Sequence, residues 1–298
     1  MKKGHNLGFD LRWTALLLIL PLLVQCQRSG ESSMTPVIAL ITDFGDSGTY
    51  VPQMKGAILT TFPGARITDL NHRLQIFQVA EASYIVQKST STLPASAIVC
   101  AVVDPGVGTE RRGIAFRTTS GRHYVGPDNG LFSHVLAREG LAEAVELNNN
   151  TYFLRPEPSA TFHGRDIFGP VAAHLAAGVD LAKLGTPVRD LKTIPINQPS
   201  KLGDKINGVI VHVDHYGNII TNIHRSDLPE GFENKLVKVI FQNKTLTLPL
   251  VSSYGQAPEK RLFALLNSDH ELELAVKQGS AAQALKPKIG EPLVLLLK

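Results

Sequence analysis

The chain has 298 residues, 43% of them hydrophobic, and a formal charge of +4. This is enough apolar material for one large domain or two ordinary ones, and it excludes a disordered or strongly charged chain. No long Lys/Arg block occurs, which argues against a nucleic-acid partner, and two cysteines, Cys26 and Cys100, do not make a disulfide framework.

The N-terminus reads as an address. Lys2, Lys3 and Arg12 precede an apolar run at residues 15–24 that is short for a membrane span. A positive flank before a short apolar core is the form of a secretory signal. Cys26 follows Leu23-Val24-Gln25 and precedes a polar stretch, which resembles a bacterial lipoprotein signal, although Gln25 stands where a small residue is usual. Residues 1–33 are therefore expected to be a signal and tether. The expectation is an exported protein held at the cell envelope through a lipidated Cys26.

Beyond this segment, apolar runs alternate with helical spacing. Residues 37–41 form a buried strand ending at Thr42-Asp43-Phe44-Gly45. A helix is expected at 50–61, a short strand at 66–70 and a second helix at 77–88, with Phe77, Ala80, Tyr84 and Ile85 on its core face. Residues 97–103 read as a strand buried on both faces, ending on Asp104 before the turn Pro105-Gly106-Val107-Gly108. Cys100 inside that strand is expected to be an inert small hydrophobe. Strands at 113–117 and 123–125, a helix at 131–138 and a helix at 167–177 ending on Gly178 complete this part.

Such alternation implies an α/β N-terminal domain, 34–184, with a mainly parallel sheet and helices on both faces. Prolines and polar residues at 185–204 read as a linker. Strand-like runs at 208–213, 237–241, 244–248 and 292–297 read as a smaller all-β, barrel-like domain at 205–298.

Ligands in open α/β sheets bind at the carboxyl ends of strands. Asp104 stands at such an end, with Arg111 and Arg112 one short loop away. An isolated Asp-Pro-Gly caps a turn equally well. However, polar clusters also occur at Asp43, at Asp69 with His72, at Asp128-Asn129, at His163 with Arg165 and Asp166, and at Asp214 with Asn218. Together they point to a polar pocket. No dinucleotide or P-loop fingerprint occurs, and no zinc-ligand spacing.

Five motifs, in order, carry a resemblance. They are Thr42-Asp43-Phe44-Gly45 with Met54-Lys55-Gly56, Asp104-Pro105-Gly106-Val107-Gly108, Gly126-Pro127-Asp128-Asn129-Gly130, Phe162-His163-Gly164-Arg165-Asp166, and Tyr216-Gly217-Asn218 with Thr221-Asn222-Ile223. The chain resembles the S-adenosylmethionine hydroxide adenosyltransferase family, which is related to fluorinases and chlorinases. The resemblance implies an α/β domain joined to a β-barrel-like domain, in a homotrimer with active sites between subunits. It also implies hydrolysis of S-adenosylmethionine, as substrate rather than cofactor, to adenosine and methionine, with no metal.

Carried over residue by residue, the resemblance makes Asp104, Arg111 and His163 the catalytic set. Arg111 would stabilise hydroxide, Asp104 would orient the guanidinium, and His163 would accept the proton. Arg112 competes with Arg111. Asp43 would hold the ribose hydroxyls, Asn218 would read adenine, and Asp214 and Ser268 would meet the methionine end. His72 reads as structural, and Arg165 with Asp166 as a structural ion pair.

Two departures fall where the methionine end is expected: Gly48 in place of an aspartate, and Asp269-His270-Glu271 in place of an aromatic-glycine pair. The alternative reading is a non-catalytic, exported nucleoside-binding lipoprotein. Halide attack is disfavoured, because the halogenating relatives lack the histidine that stands here as His163.

Overall fold

The structure is a computed structural model and describes residues 1–4, 35–232 and 236–297. Cys26 and nearly all of the expected signal lie outside the described residues. Pro36–Lys298 form one unit, distinct from Met1–Thr35.

The first half of that unit runs β1 (Val37–Thr42), α1 (Tyr50–Thr61), β2 (Arg66–Asn71), α2 (Val79–Thr90), β3 (Ile98–Val102), β4 (Gly113–Thr118), β5 (His123–Pro127), α3 (Ser133–Glu139), β6 (Leu141–Glu146), α4 (Gly169–Ala176) and β7 (Thr186–Pro187). Its strands form one sheet in the order β2-β1-β3-β5-β4-β6-β7. The first four are parallel, as the alternation of strands and helices implies, and β4, β6 and β7 join antiparallel. Every residue of β3 is buried because both faces are covered. Met54 and Ile58 of α1 and Val171 of α4 join Ile98, Cys100 and Val102 in one core. Ala82 and Val86 of α2 and Val135 of α3 join Val99 and Ala101 in another.

Two local expectations are corrected. Helix α2 begins at Val79, and Phe77 lies outside it, 65% exposed and at φ 64°. The Phe77 N–H donates to the Asp43 carboxylate at 3.1 Å, which holds this loop open toward β1. Ala80 is exposed, and the buried face is instead Ala82, Ser83, Tyr84, Val86, Gln87 and Thr90. Strand β6, rich in Ala and Glu, carries no strand signal; it is a strand because it pairs with β4 from Ile114 to Thr118.

The second half runs β8 (Ser200–Leu202), β9 (Lys205–Val213), β10 (Ile219–His224), β11 (Leu236–Phe241), β12 (Lys244–Pro249), β13 (Leu262–Leu266), β14 (Glu271–Val276), α5 (Ala281–Leu285) and β15 (Pro292–Leu296). The main path is β12-β11-β15-β9-β10-β14-β13, antiparallel throughout, with β8 on β9. A bridge between Leu250 and Ala264 links the two ends of this path, so the sheet nearly closes into a barrel. Val237, Val239 and Phe241 alternate inward into its core. Between the halves, the proline-containing stretch lends β7 to one sheet and β8 to the other.

Helix α2 ties the halves together. Tyr84 Oη donates to Glu271 Oε2 at 2.7 Å, and Lys88 Nζ lies 2.7 Å from Glu271 Oε1 and 3.4 Å from Asp269. His212 Nδ1 lies 2.9 Å from Glu81 Oε1. Burial and the Glu271 charge push the Tyr84 phenol well above its ordinary range, so it remains a donor. The Asp269 and Glu271 side chains thus serve this junction. Replacing Glu271 with Ala leaves a buried phenol without its acceptor and leaves Lys88 with only the longer Asp269 contact. It is expected to lower the unfolding free energy by about 2–4 kcal/mol, read from urea denaturation.

Candidate active site

Parallel pairing of β1 with β3 brings the carboxyl ends of both strands side by side, so Asp43 and Asp104 open into one crevice. A cavity of about 300 Å³ lies there, lined by Asp43, Asp104 and His163 and by Phe44, Tyr50 and Phe162, among others. The three rings form a cluster, with centroids 5.7 Å apart for Phe44 and Phe162 and 5.1 Å for Tyr50 and Phe162. Burial pushes the Asp43 carboxyl above the usual carboxylate range, against the Phe77 N–H bond that favours its charge.

The Asp104 turn folds back tightly. Val107 N–H donates to the Asp104 carbonyl at 3.3 Å, and Thr109 N–H to the Gly106 carbonyl at 3.2 Å. Gly108 sits at φ 77°, and a Cβ there would collide with the Ala160 carbonyl oxygen. This return places Arg111 on Asp104 in a two-pronged ion pair: Nε donates to Oδ1 at 3.0 Å and Nη2 to Oδ2 at 2.5 Å. Nη2 also lies 2.9 Å from His163 Nδ1, and Nη1 donates to the Arg112 carbonyl at 3.0 Å. Both side chains of the ion pair are nearly buried, 6% and 5% exposed. Phe168 backs the guanidinium at 5.4 Å. Phe168 ends a π-helical turn, Gly164–Phe168, that begins directly after His163 and leads into α4. Such turns recur at functional sites.

Arginine only donates. His163 Nδ1 is therefore the accepting nitrogen, and the neutral ring carries its hydrogen on Nε2. Burial, reinforced by Arg111, holds this imidazole below the ordinary histidine range. Burial also pushes the Asp104 carboxyl up, while Arg111 and His163 pull it down. Asp104 and His163 border the cavity; Arg111 stands behind them and joins the two.

Of the two arginines, Arg111 is the one on Asp104. Arg112 donates to Asp128 Oδ2 at 2.6 Å and to Asp190 Oδ1 at 3.0 Å. Arg165 and Asp166 pair with each other at 2.6 Å. His72 is buried, with Nδ1 2.8 Å from Thr42 Oγ1 and Nε2 3.1 Å from Asp69 but poorly aligned with it.

Asp214 and Asn218 meet in a second cavity of about 710 Å³, lined also by Tyr216 and Tyr254. Asn218 donates from its backbone to Asp214 Oδ1 at 2.8 Å and from Nδ2 to Oδ2 at 2.9 Å. Gly217, at φ 82°, makes this turn possible, because a Cβ would strike the Ser280 side chain. Within one chain the two cavities share no lining residue. Ser268 lies in neither; it is exposed on the turn between β13 and β14. Asp269 and Glu271 line a third cavity, beside α2.

The sequence reading missed four residues of these sites. Phe77 holds Asp43, and Tyr50 borders the first cavity. Tyr254 donates to Glu273 Oε1 at 2.5 Å and accepts from Asn218 Nδ2 at 3.4 Å. A carboxylate at every second position, Glu271 and Glu273, hinted at one inward acid; nothing local marked Phe77. Among the described residues, no group of three His, Cys, Asp or Glu side chains could hold a metal ion.

Comparison with known proteins gives the chain a family. The S-adenosylmethionine hydroxide adenosyltransferase N-terminal domain matches residues 38–185, and its C-terminal domain matches residues 208–294. The chain is 38% identical to an (R)-S-adenosyl-L-methionine hydrolase of Thermus thermophilus, over 88% of this chain and all of that protein. It is 33% identical to a hydrolase of the same name from Methanocaldococcus jannaschii, over 84% and 91% of the two chains. A fluorinase of an Actinoplanes species is 30% identical, over 74% and 84%. A Thermotoga maritima crystal structure superposes with a TM-score of 0.83 at 32% identity, covering 87% of this chain and all of that one.

The expectation of export to the cell envelope and anchoring through Cys26 is corrected by these relatives. The hydrolases among them align over most of the chain, and none is named as an exported or lipid-anchored protein. No helix among the described residues is long and apolar enough to cross a membrane. With both family domains matched in order over the α/β and barrel-like halves, the chain belongs to the S-adenosylmethionine hydroxide adenosyltransferase family.

Proposed function

We propose that the protein hydrolyses S-adenosyl-L-methionine to adenosine and L-methionine, through Asp104, Arg111 and His163. The observation that carries this reading is the continuous chain Asp104–Arg111–His163 at the edge of the Asp43 cavity. The relatives that share the chemistry in their names support it.

In this reading, water attacks C5′ of the ribose in line with the C5′–S bond. The O–C5′ bond forms, and the C5′–S electrons return to sulfur, which leaves as the neutral thioether of methionine. Water near neutral pH is a weak nucleophile, so the site must favour its deprotonation. Arg111 places a positive charge one hydrogen bond from the imidazole, which stabilises a hydroxide in front of His163. Asp104 fixes the guanidinium in one orientation. His163 takes the proton on Nδ1 once water displaces Arg111 Nη2 from that lone pair, and passes it to solvent. Asp43 accepts from the ribose hydroxyls, and Asn218 and Asp214 meet adenine and the methionine ammonium. Ser268, on its exposed turn, belongs to the same reading as a methionine contact.

The Asp43 and Asp214 cavities are separate within one chain. That separation suits the arrangement the family resemblance implies, a homotrimer with each active site between the α/β half of one subunit and the barrel-like half of the next, and with the division between halves falling at 185–204. S-Adenosylmethionine is the substrate and not a cofactor.

Hydrolysis in isotopically heavy water is expected to place the label in adenosine, detected by mass spectrometry. Arg111→Ala and His163→Ala are expected to lower kcat by roughly 10²–10⁴-fold, and unchanged rates would reject the catalytic set. Only neutral His163 accepts a proton, so the rate is lost as pH falls through its pKa. That acid limb should lie below the ordinary histidine value of 6.5, in a kcat–pH profile. Mixing inactive His163→Ala with inactive Asn218→Ala, after dissociation and reassembly, should restore roughly a quarter of wild-type activity if sites lie between subunits. Sites built within one chain would restore none.

A further inference from the structure

The wall of the second cavity holds an amide whose orientation is fixed by its neighbours. Asn218 is 5% exposed and lines this cavity with Tyr216 and Tyr254. An asparagine side chain has an acceptor oxygen and an NH₂ donor of nearly the same shape. Which of them meets a ligand is set by the partners of the other.

Asp214 is the first of those partners. A carboxylate only accepts, so the atom 2.9 Å from Asp214 Oδ2 is the amide nitrogen, Nδ2. The other carboxylate oxygen, Oδ1, takes the Asn218 backbone N–H at 2.8 Å. Two backbone bonds brace the turn: Gly217 N–H donates to the Asp214 carbonyl and Asp214 N–H to the Asn218 carbonyl, each at 3.0 Å. Both oxygens of Asp214 are thereby turned to one residue.

Tyr254 is the second partner. Its Oη lies 3.4 Å from Asn218 Nδ2 and can accept, because its own hydrogen goes to Glu273 Oε1 at 2.5 Å. Burial, reinforced by Glu273, pushes this phenol up and keeps that hydrogen in place. Both hydrogens of Nδ2 are therefore engaged. Asn218 Oδ1 accepts no hydrogen bond among the described residues. The sealed side-chain atoms without a partner are His72 Nε2, Gln87 Nε2 and Arg122 Nε, so Asn218 Oδ1 is not sealed. In a residue otherwise buried, its opening is the cavity it lines.

We infer that Asp214 is a positioning residue that turns the Asn218 carbonyl oxygen toward the ligand, so that this point of the cavity demands a hydrogen-bond donor. The inference rests on the reading of Asn218 as the adenine contact. The 6-amino group of adenine donates to Oδ1, whereas the 6-oxo group of hypoxanthine sets two acceptors against each other. Each Asp214 oxygen keeps a second lone pair, so the ammonium assigned to this carboxylate is not displaced.

Isothermal titration of the full chain with adenosine and with inosine tests it. Neither nucleoside carries the methionine ammonium, so the ratio of their Kd values reports only on the base. Inosine is expected to bind roughly 10–100-fold more weakly than adenosine, the effect of one mismatched buried acceptor. Asp214→Asn keeps an oxygen for the Asn218 backbone N–H. It also sets an NH₂ against the side-chain amide, which draws Asn218 Oδ1 to itself and turns Nδ2 to the ligand. The preference for adenosine is expected to fall about tenfold or to invert. A merely structural role would weaken both nucleosides by one factor and leave the ratio alone; that result, or unchanged binding of both, overturns the positioning role. Equal affinity of the wild type for both nucleosides overturns the donor requirement and leaves the hydrolase reading standing. Binding of neither removes Asn218 as the adenine contact, and the inference falls with it. An adenosine preference that Asp214→Asn abolishes, in a protein that does not hydrolyse S-adenosylmethionine, would support the inference and reject the hydrolase reading.

Discussion

The two-pronged ion pair between Asp104 and Arg111 is the constraint on which the first cavity depends. A nearly buried guanidinium needs a carboxylate of matching geometry, or its desolvation goes uncompensated. Once Arg111 is fixed by Asp104 and backed by Phe168, its outer nitrogen meets His163 Nδ1. The ion pair thereby sets the histidine's tautomer, while burial, reinforced by the Arg111 charge, favours the neutral ring. A strand end with its glycine turn, and a π-helical turn far along the chain, converge on one guanidinium.

The same logic of compensated burial runs through the rest of the unit. Arg112 reaches Asp128 and Asp190, Arg165 reaches Asp166, and Arg122 reaches Glu139. These pairs pin loops to the first sheet. Across the junction of the halves, Tyr84, Lys88 and Glu271 do so between sheets.

Much of the fold was legible because burial writes itself into residue order. The strands at 37–41 and 97–103 are uninterrupted apolar runs, as strands covered on both faces must be. The end of each run on an aspartate placed Asp43 and Asp104 at a crevice before any coordinate was known. Strand β6 was not legible, because Leu-Ala-Glu-Ala-Val-Glu favours a helix locally and becomes a strand only through its pairing with β4. Phe77 looked like a helix-face residue and proved to be an exposed loop aromatic, because its N–H is claimed by a carboxylate 34 positions away.

By itself, the sequence determined that an α/β half precedes a β half, and which polar side chains stand at strand ends and helix starts: side-chain type and hydrophobic period are local properties. Only the tertiary structure decided which partners meet. The choice of Arg111 over Arg112 for Asp104, the placement of Asp269 and Glu271 at the junction with α2, and the separation of the Asp43 and Asp214 cavities all depend on the return of one loop or the approach of two sheets. Such contacts join residues far apart in the chain. Their geometry is set by packing, and no spacing in the sequence encodes it.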